Sequence, residues 1–383
     1  ALNLMKKDIM KALLCLASAV LAISMASCGG KKQTETSGAP AGELLTAHAR
    51  LLRMERTPQY IKVDIANPWD TAAAPLGRYV LVERGVVPDS LPEGYRRLDV
   101  PLQRSLVYSS VHTGALAEMG ASDAVAAVVD GRYFTGEPMR SRIASGAVAD
   151  VGSSTSPSVE KIVAIGPDAV LLSPFENAGH GALDNLGIPL VECADYMEPT
   201  PLARAEWIKL LGALYGRLPQ ADSIYSAVER DYKALASRAA EAQSHPLVLT
   251  EKLTSGYWFV PGGASYMARM IEDAGGRYPW EGNTSAGSLQ LDFSAVYARA
   301  ADADVWLIRI FGGSLSLDDL RDEYVLNSQF GAFKSGRVYV ANTAEVPLFD
   351  EFPFHPERLL AEYAAIFHPE ADFGSLRYYR KIH

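Results

Sequence analysis

From residue 105 onward, short near-continuous apolar runs alternate with stretches in which apolar residues recur every three or four positions. Strand-like runs fall at 106–110, 124–129, 169–172 and 190–193, and helical spacing falls at 113–119, 158–165, 182–186 and 202–215. Near-continuous apolar strands separated by one-sided helices predict a parallel sheet covered on both faces. A longer amphipathic segment follows Pro219, where Ile224, Val228, Tyr232, Leu235 and Ala239 recur with charges between them and no breaker precedes His245-Pro246. That spacing predicts one continuous helix over 219–244. The alternation then resumes, with strands expected at 247–250, 257–260, 305–310 and 338–341 and helices at 266–273, 294–299 and 357–367.

The two halves echo each other. Residues 160–175 (EKIVAIGPDAVLLSPF) and 294–311 (SAVYARAADADVWLIRIF) each run from a helical turn to an aspartate, an apolar strand, and an aromatic just past the strand end. The expected fold is α/β: two Rossmann-like lobes with central parallel sheets, an N-terminal lobe over 105–218 and a C-terminal lobe over 245–383, joined by the long helix. In open α/β sheets ligands sit beyond the carboxyl ends of the strands. Two lobes braced by a helix would therefore bring both sets of strand-end loops to one cleft.

Ahead of the lobes the pattern is different. Residues 44–104 carry short strand candidates at 60–65 and 79–83, punctuated by Asn67-Pro68, Pro88 and Pro92, and predict a β-rich extension. Residues 29–43 lack apolar periodicity and read as a flexible tether. Before them, Lys6, Lys7 and Lys11 precede the uncharged run ALLCLASAVLAISM at 12–25 and the small residues Ala26-Ser27. This is the layout of an export signal rather than a membrane span, which needs about 20 apolar residues. Cys28, directly after the small residues, resembles the acylated cysteine of bacterial lipoproteins. That resemblance implies a signal peptide over 1–28, a lipid anchor and a periplasmic or cell-envelope location.

Composition narrows the classes. A net charge of −9 is the wrong sign for non-specific nucleic-acid binding. Of three cysteines, Cys15 lies in the signal and Cys28 is the expected lipid site, so Cys193 is left without a disulfide partner and is expected to be a small buried hydrophobe. Neither clustered Cys/His nor an HExxH pattern is present, so no dedicated metal site is expected. The absence of a Walker motif places any energy source in a partner.

Residues 158–172 (SVEKIVAIGPDAVLL) resemble the helix, Pro-Asp, strand signature of substrate-binding proteins for iron-siderophore, haem and cobalamin ABC importers. LGIPL at 186–190, EWIKLLGALYG at 206–216 and GRVYV at 336–340 extend the likeness across roughly 98–368. The resemblance implies two lobes on one rigid helix, a monomer, a small metal chelate as ligand, and an ABC permease with its ATPase as partners. It also implies a glutamate on each lobe that docks on the permease. Glu160 holds the N-lobe position, whereas the C-lobe counterpart is Ser294, with Asp292 two residues earlier. Taken alone, Glu160 is a helix-start carboxylate favoured by the dipole.

Strand-end loops supply the candidate ligand contacts: His112, Arg132, Tyr133, Phe175, Glu176 and Tyr196 from the first lobe, and Trp258, Tyr266, Arg309, Phe311 and the loop 349–354 from the second. Aromatic rings suit a large planar or conjugated guest, and guanidinium groups suit carboxylate or catecholate oxygens. A ferric siderophore is the first expectation, ahead of haem, which wants an axial His or Tyr, and cobalamin. No intrinsic cofactor and no catalytic residue is expected. The rival reading is a tetrapyrrole chelatase-like enzyme built on Glu176 and His180, four residues apart where they could share a face.

Overall fold

A computed structural model of the protein describes residues 42–70 and 72–383. The signal segment, Cys28 and the tether up to residue 41 lie outside the described residues.

The N-lobe sheet is wholly parallel, with spatial order Leu190–Glu192, Ala169–Leu172, Ser105–Val107, Val125–Val128 and Ala149–Asp150. Chain order reverses at the central strand Ser105–Val107, which makes its carboxyl end the topological switch point where such sheets hold ligands. All four side chains of Ala169–Leu172 are buried, as a strand covered on both faces requires. The C-lobe sheet runs Val248–Thr250, Val305–Ile310, Val338–Asn342 in parallel, closed by antiparallel Arg380–Lys381. A separate antiparallel sheet of Leu253–Thr254, Tyr257–Pro261 and Ser288–Leu291 belongs to the same half.

The long helix spans Leu218–Ala240, with Pro219 in its first turn. It packs on Ile208–Leu214 from one half and Pro356–Phe367 from the other, so each half grips the same rod. The helix expected over 202–215 is instead two, Pro201–Ala205 and Ile208–Leu214. At the junction the amides of Lys209 and Leu210 bond three residues back, to Glu206 and Trp207, a tightened turn that re-aims the chain.

The internal echo is realised in three dimensions. Ser158 caps helix Val159–Ile165 by accepting from the Lys161 amide, and Asp292 caps helix Phe293–Ala300 by accepting from the Ala295 amide. The aspartate before each strand holds the start of its neighbour. Asp168 accepts from the amides of Gln103 and Arg104, and Asp304 accepts from that of Leu247.

The N-terminal extension is a five-stranded sheet, Glu43–Leu44, Leu52–Arg56, Ile61–Ile65, Gly77–Glu83 and Arg96–Val100, antiparallel except for the last pair. Two fully buried carboxylates hold it. Glu206 accepts from the amides of Ala47, His48 and Ala49, and Glu198 from those of Arg50 and Leu51 and from the Trp207 indole. Five consecutive backbone donors, which no strand ladder serves, are satisfied by two side chains.

Candidate functional site

Helix Ser110–Glu118 starts where the central N-lobe strand ends, and it packs against the short helix Leu348–Glu351 that follows the last parallel C-lobe strand. Gly114 makes the approach feasible, because a Cβ there would sit 2.9 Å from the Asp350 carbonyl oxygen. Beside this contact lie two adjoining chambers, of about 810 and 350 Å³. They share a wall of Ser110 and Thr135 from the N-lobe and Val346, Pro347 and Asp350 from the C-lobe. Both are therefore built from strand-end segments of both halves.

Tyr133 and Phe311 line the smaller chamber from opposite lobes, edge to face with centroids 5.6 Å apart, and Phe349 lines it beside them. All three rings are substantially exposed. Arg132 stands exposed at the rim, its guanidinium over the Tyr133 ring at 4.7 Å and donating to the Tyr133 hydroxyl.

The larger chamber ends at a charged link between the lobes. His355 of the C-lobe bonds through Nε2 to Glu118 Oε2 of the N-lobe (2.7 Å) and through Nδ1 to Glu357 Oε1 (2.9 Å). Burial pulls the imidazolium pKa down, but the two carboxylates more than compensate and raise it to about 9. The same bond holds the Glu118 carboxyl below its ordinary range.

Several residues expected at the ligand lie elsewhere. His112 is 2 % exposed and bonds Asp195 through Nε2 (3.1 Å). Arg204 bonds the other oxygen of Asp195 and stacks over Tyr266 (4.6 Å) and Phe352 (5.4 Å). Burial pushes the Asp195 carboxyl up, yet His112 and Arg204 outweigh it and keep it below its ordinary range. His112 and Tyr266 thus belong to an inter-lobe network. Trp258 is 0 % exposed, stacked on Trp306 and against Phe330, with its indole donating to the Thr250 carbonyl. Strand alternation turns Trp258 inward and its neighbours Tyr257 and Phe259 outward.

Arg309 lies behind Phe349, at 5.6 Å from that ring, and its guanidinium is committed to Glu251. Phe175 and Glu176 are exposed and line neither chamber, and the Tyr196 hydroxyl donates to the Pro174 carbonyl. The Glu176–His180 pair does not form, since His180 bonds Glu192 (2.8 Å). Among the described residues no group of three or more His, Cys, Asp or Glu side chains could hold a metal ion. Cys193 is buried, which raises its thiol pKa. Glu160 is exposed in the first turn of its helix, and exposed Asp292 is the cap described above.

Sequence reasoning missed Thr135 and the segment Thr343–Pro347, and it reached Asp350 only as a member of the loop 349–354. The signal was present: residues 343–347 directly follow the strand expected at 338–341, so the strand-end rule that selected Phe311 applies equally to them.

The chain belongs to the periplasmic binding protein family, which matches residues 107–344, a family of substrate-binding transport proteins rather than enzymes. It is 27 % identical over 308 residues to the uncharacterized lipoprotein MJ0878 of Methanocaldococcus jannaschii, covering 77 % of this chain and 71 % of that protein. Among solved structures it resembles a periplasmic heme binding protein from Pseudomonas aeruginosa, with TM-score 0.58 and 18 % identity, over 74 % of this chain and 98 % of that one. It also resembles a protein of an ABC-type Fe3+-hydroxamate transport system from Saccharomonospora viridis, with TM-score 0.56 and 18 % identity, over 70 % and 94 %. At that identity the two structures establish the fold, two α/β lobes, and nothing about the guest.

Proposed function

We propose that this protein is the lipid-anchored substrate-binding component of an ABC importer, which captures a metal chelate between its lobes and delivers it to a permease. The observation that carries the reading is the pair of adjoining chambers at the strand ends, walled by both halves and rimmed by Tyr133, Phe311 and Phe349. Exposed rings from two lobes are costly in an isolated protein and are repaid by a flat or greasy guest. Haem is the weaker fit: His112, His180 and Tyr266 are engaged elsewhere, both ring nitrogens of His355 in the larger chamber are held by Glu118 and Glu357, and Tyr133 is left as the axial side chain facing a chamber. A ferric siderophore stays first. The heme and Fe3+-hydroxamate names of the two structural neighbours support a chelate of this class, and the lipoprotein name of the relative supports acylation at Cys28. Glu160, and Asp292 in place of a second glutamate, are the proposed permease contacts.

Purification of the exported domain from its native host, with an absorbance and mass spectrum, tests the reading. A charge-transfer band from a ferric siderophore is expected; a Soret band or a cobalt-corrin spectrum would reassign the chelate. An empty protein that also fails to bind any added chelate would refute the transport role.

A further inference from the structure

The charges along the chambers do not balance. The larger is lined by five carboxylates, Glu118, Glu137, Glu345, Asp350 and Glu351, against Arg140, Arg358 and His355. Each of those basic groups is already engaged: Arg140 with Glu137 (2.8 Å), Arg358 with Glu351 (3.1 Å) and His355 with Glu118 (2.7 Å). Arg309, the cation nearest Phe349, is committed to Glu251. Arg132 lies over the Tyr133 ring and lines neither chamber.

Asp350 is different. It stands in the wall common to both chambers, and among the described residues it has no ion-pair partner. Burial raises its pKa, against the opposing influence of the nearby Ser110 hydroxyl. Its Oδ2 lies 3.0 Å from where a Cβ on Gly136 would be, so the N-lobe closes over it where a side chain would obstruct. A partly desolvated carboxylate without a counter-ion is an unfavourable arrangement that a positively charged or N–H-rich guest relieves and an anionic guest worsens. The rings of Tyr133, Phe311 and Phe349 push in the same direction, because aromatic faces attract cations.

We infer that the cleft selects a chelate of positive charge over one of negative charge, and that Asp350 is the specificity-determining residue that enforces this. The inference rests on the chelate-binding reading above. It narrows the siderophore class to cationic hydroxamate-type complexes and removes the catecholate and carboxylate complexes that unpaired arginines lining the chambers would have favoured.

The test is equilibrium binding to the full exported domain, followed by tryptophan fluorescence and calorimetry. The probes are ferrioxamine B (cationic), cyanocobalamin (neutral) and ferric enterobactin (trianionic). The wild-type protein is expected to bind ferrioxamine B at least tenfold more tightly than ferric enterobactin. Asp350→Asn is expected to lower ferrioxamine B affinity tenfold or more and to narrow or reverse that ratio, with cyanocobalamin binding changed less than threefold. Asp350→Glu, which keeps the charge, should retain the order, and an unchanged circular dichroism spectrum verifies folding of both variants. Tightest binding of the trianion, or a ratio unmoved by Asp350→Asn, overturns the charge rule while leaving chelate binding intact. Failure of all three probes to bind would instead remove the chelate reading, and the charge rule with it.

Discussion

Replacing Glu118 by glutamine removes the N-lobe half of the charge that grips His355. In the native protein the imidazole lies between Glu118 and Glu357, one from each lobe, and its pKa stands at about 9 instead of 6.5. At about 1.4 kcal/mol per pKa unit, that rise corresponds to ~3 kcal/mol of net stabilisation by the charged form. Because the folded value is the higher one, the contribution is fully present below pH 6.5 and is lost as pH rises through about 9. With Glu118→Gln, Glu357 remains, so the midpoint is expected to fall by roughly one unit and stability at pH 7 by about 1–2 kcal/mol. The difference between variant and wild type should shrink toward zero near pH 10. The assay is an NMR titration of the His355 Hε1 signal, assigned with His355→Asn, joined to urea unfolding across pH 6–10. A wild-type midpoint near 6.5, or one that Glu118→Gln leaves in place, would refute the inter-lobe pairing.

Three further outcomes follow from the packing. Gly114→Ala improves helix propensity by about 1 kcal/mol yet sets a methyl 2.9 Å from the Asp350 carbonyl, so the lobes should be propped apart and chelate affinity should fall. Unaltered affinity and an unaltered scattering profile would exclude a tight contact at that position. Glu206→Ala strips three part-buried backbone amides of their buried acceptor, at a cost of about 2–4 kcal/mol, and should expose residues 45–51 to rapid hydrogen exchange. Trp258→Ala should cost about 3–5 kcal/mol in unfolding experiments while leaving chelate affinity within a factor of about two at temperatures where the variant is folded; a selective loss of binding would return Trp258 to the cleft.

The fold was more legible in the chain than the site. Strand 169–172 is an uninterrupted apolar run, strand 305–310 is apolar up to Arg309, and the long helix shows its period on its buried face through Val228, Tyr232 and Ala239, so burial and period alone define them. Site residues obey no such period. His112, Tyr266 and Trp258 have the chemistry of ligand contacts but are taken up by Asp195, Arg204 and Trp306, partners that are distant in sequence. The pairing of Arg309 with Glu251 spans 58 positions and cannot be read locally. Asp350 lay inside the candidate loop 349–354 but was not singled out there, because its importance comes from lacking a partner, a property that exists only after the lobes are assembled. The division of the helix at Glu206-Trp207 was hidden for a similar reason: the buried carboxylate is compensated by amides more than 150 residues upstream.

The central claim is that one guest is held by rings from both lobes at once. Affinity for the co-purified chelate, measured in Tyr133→Ala from the N-lobe and Phe349→Ala from the C-lobe, tests it most directly. Each substitution is expected to weaken binding by tenfold or more, about 1.4 kcal/mol apiece. Loss of affinity from one side only, or from neither, would show that the guest does not bridge the halves.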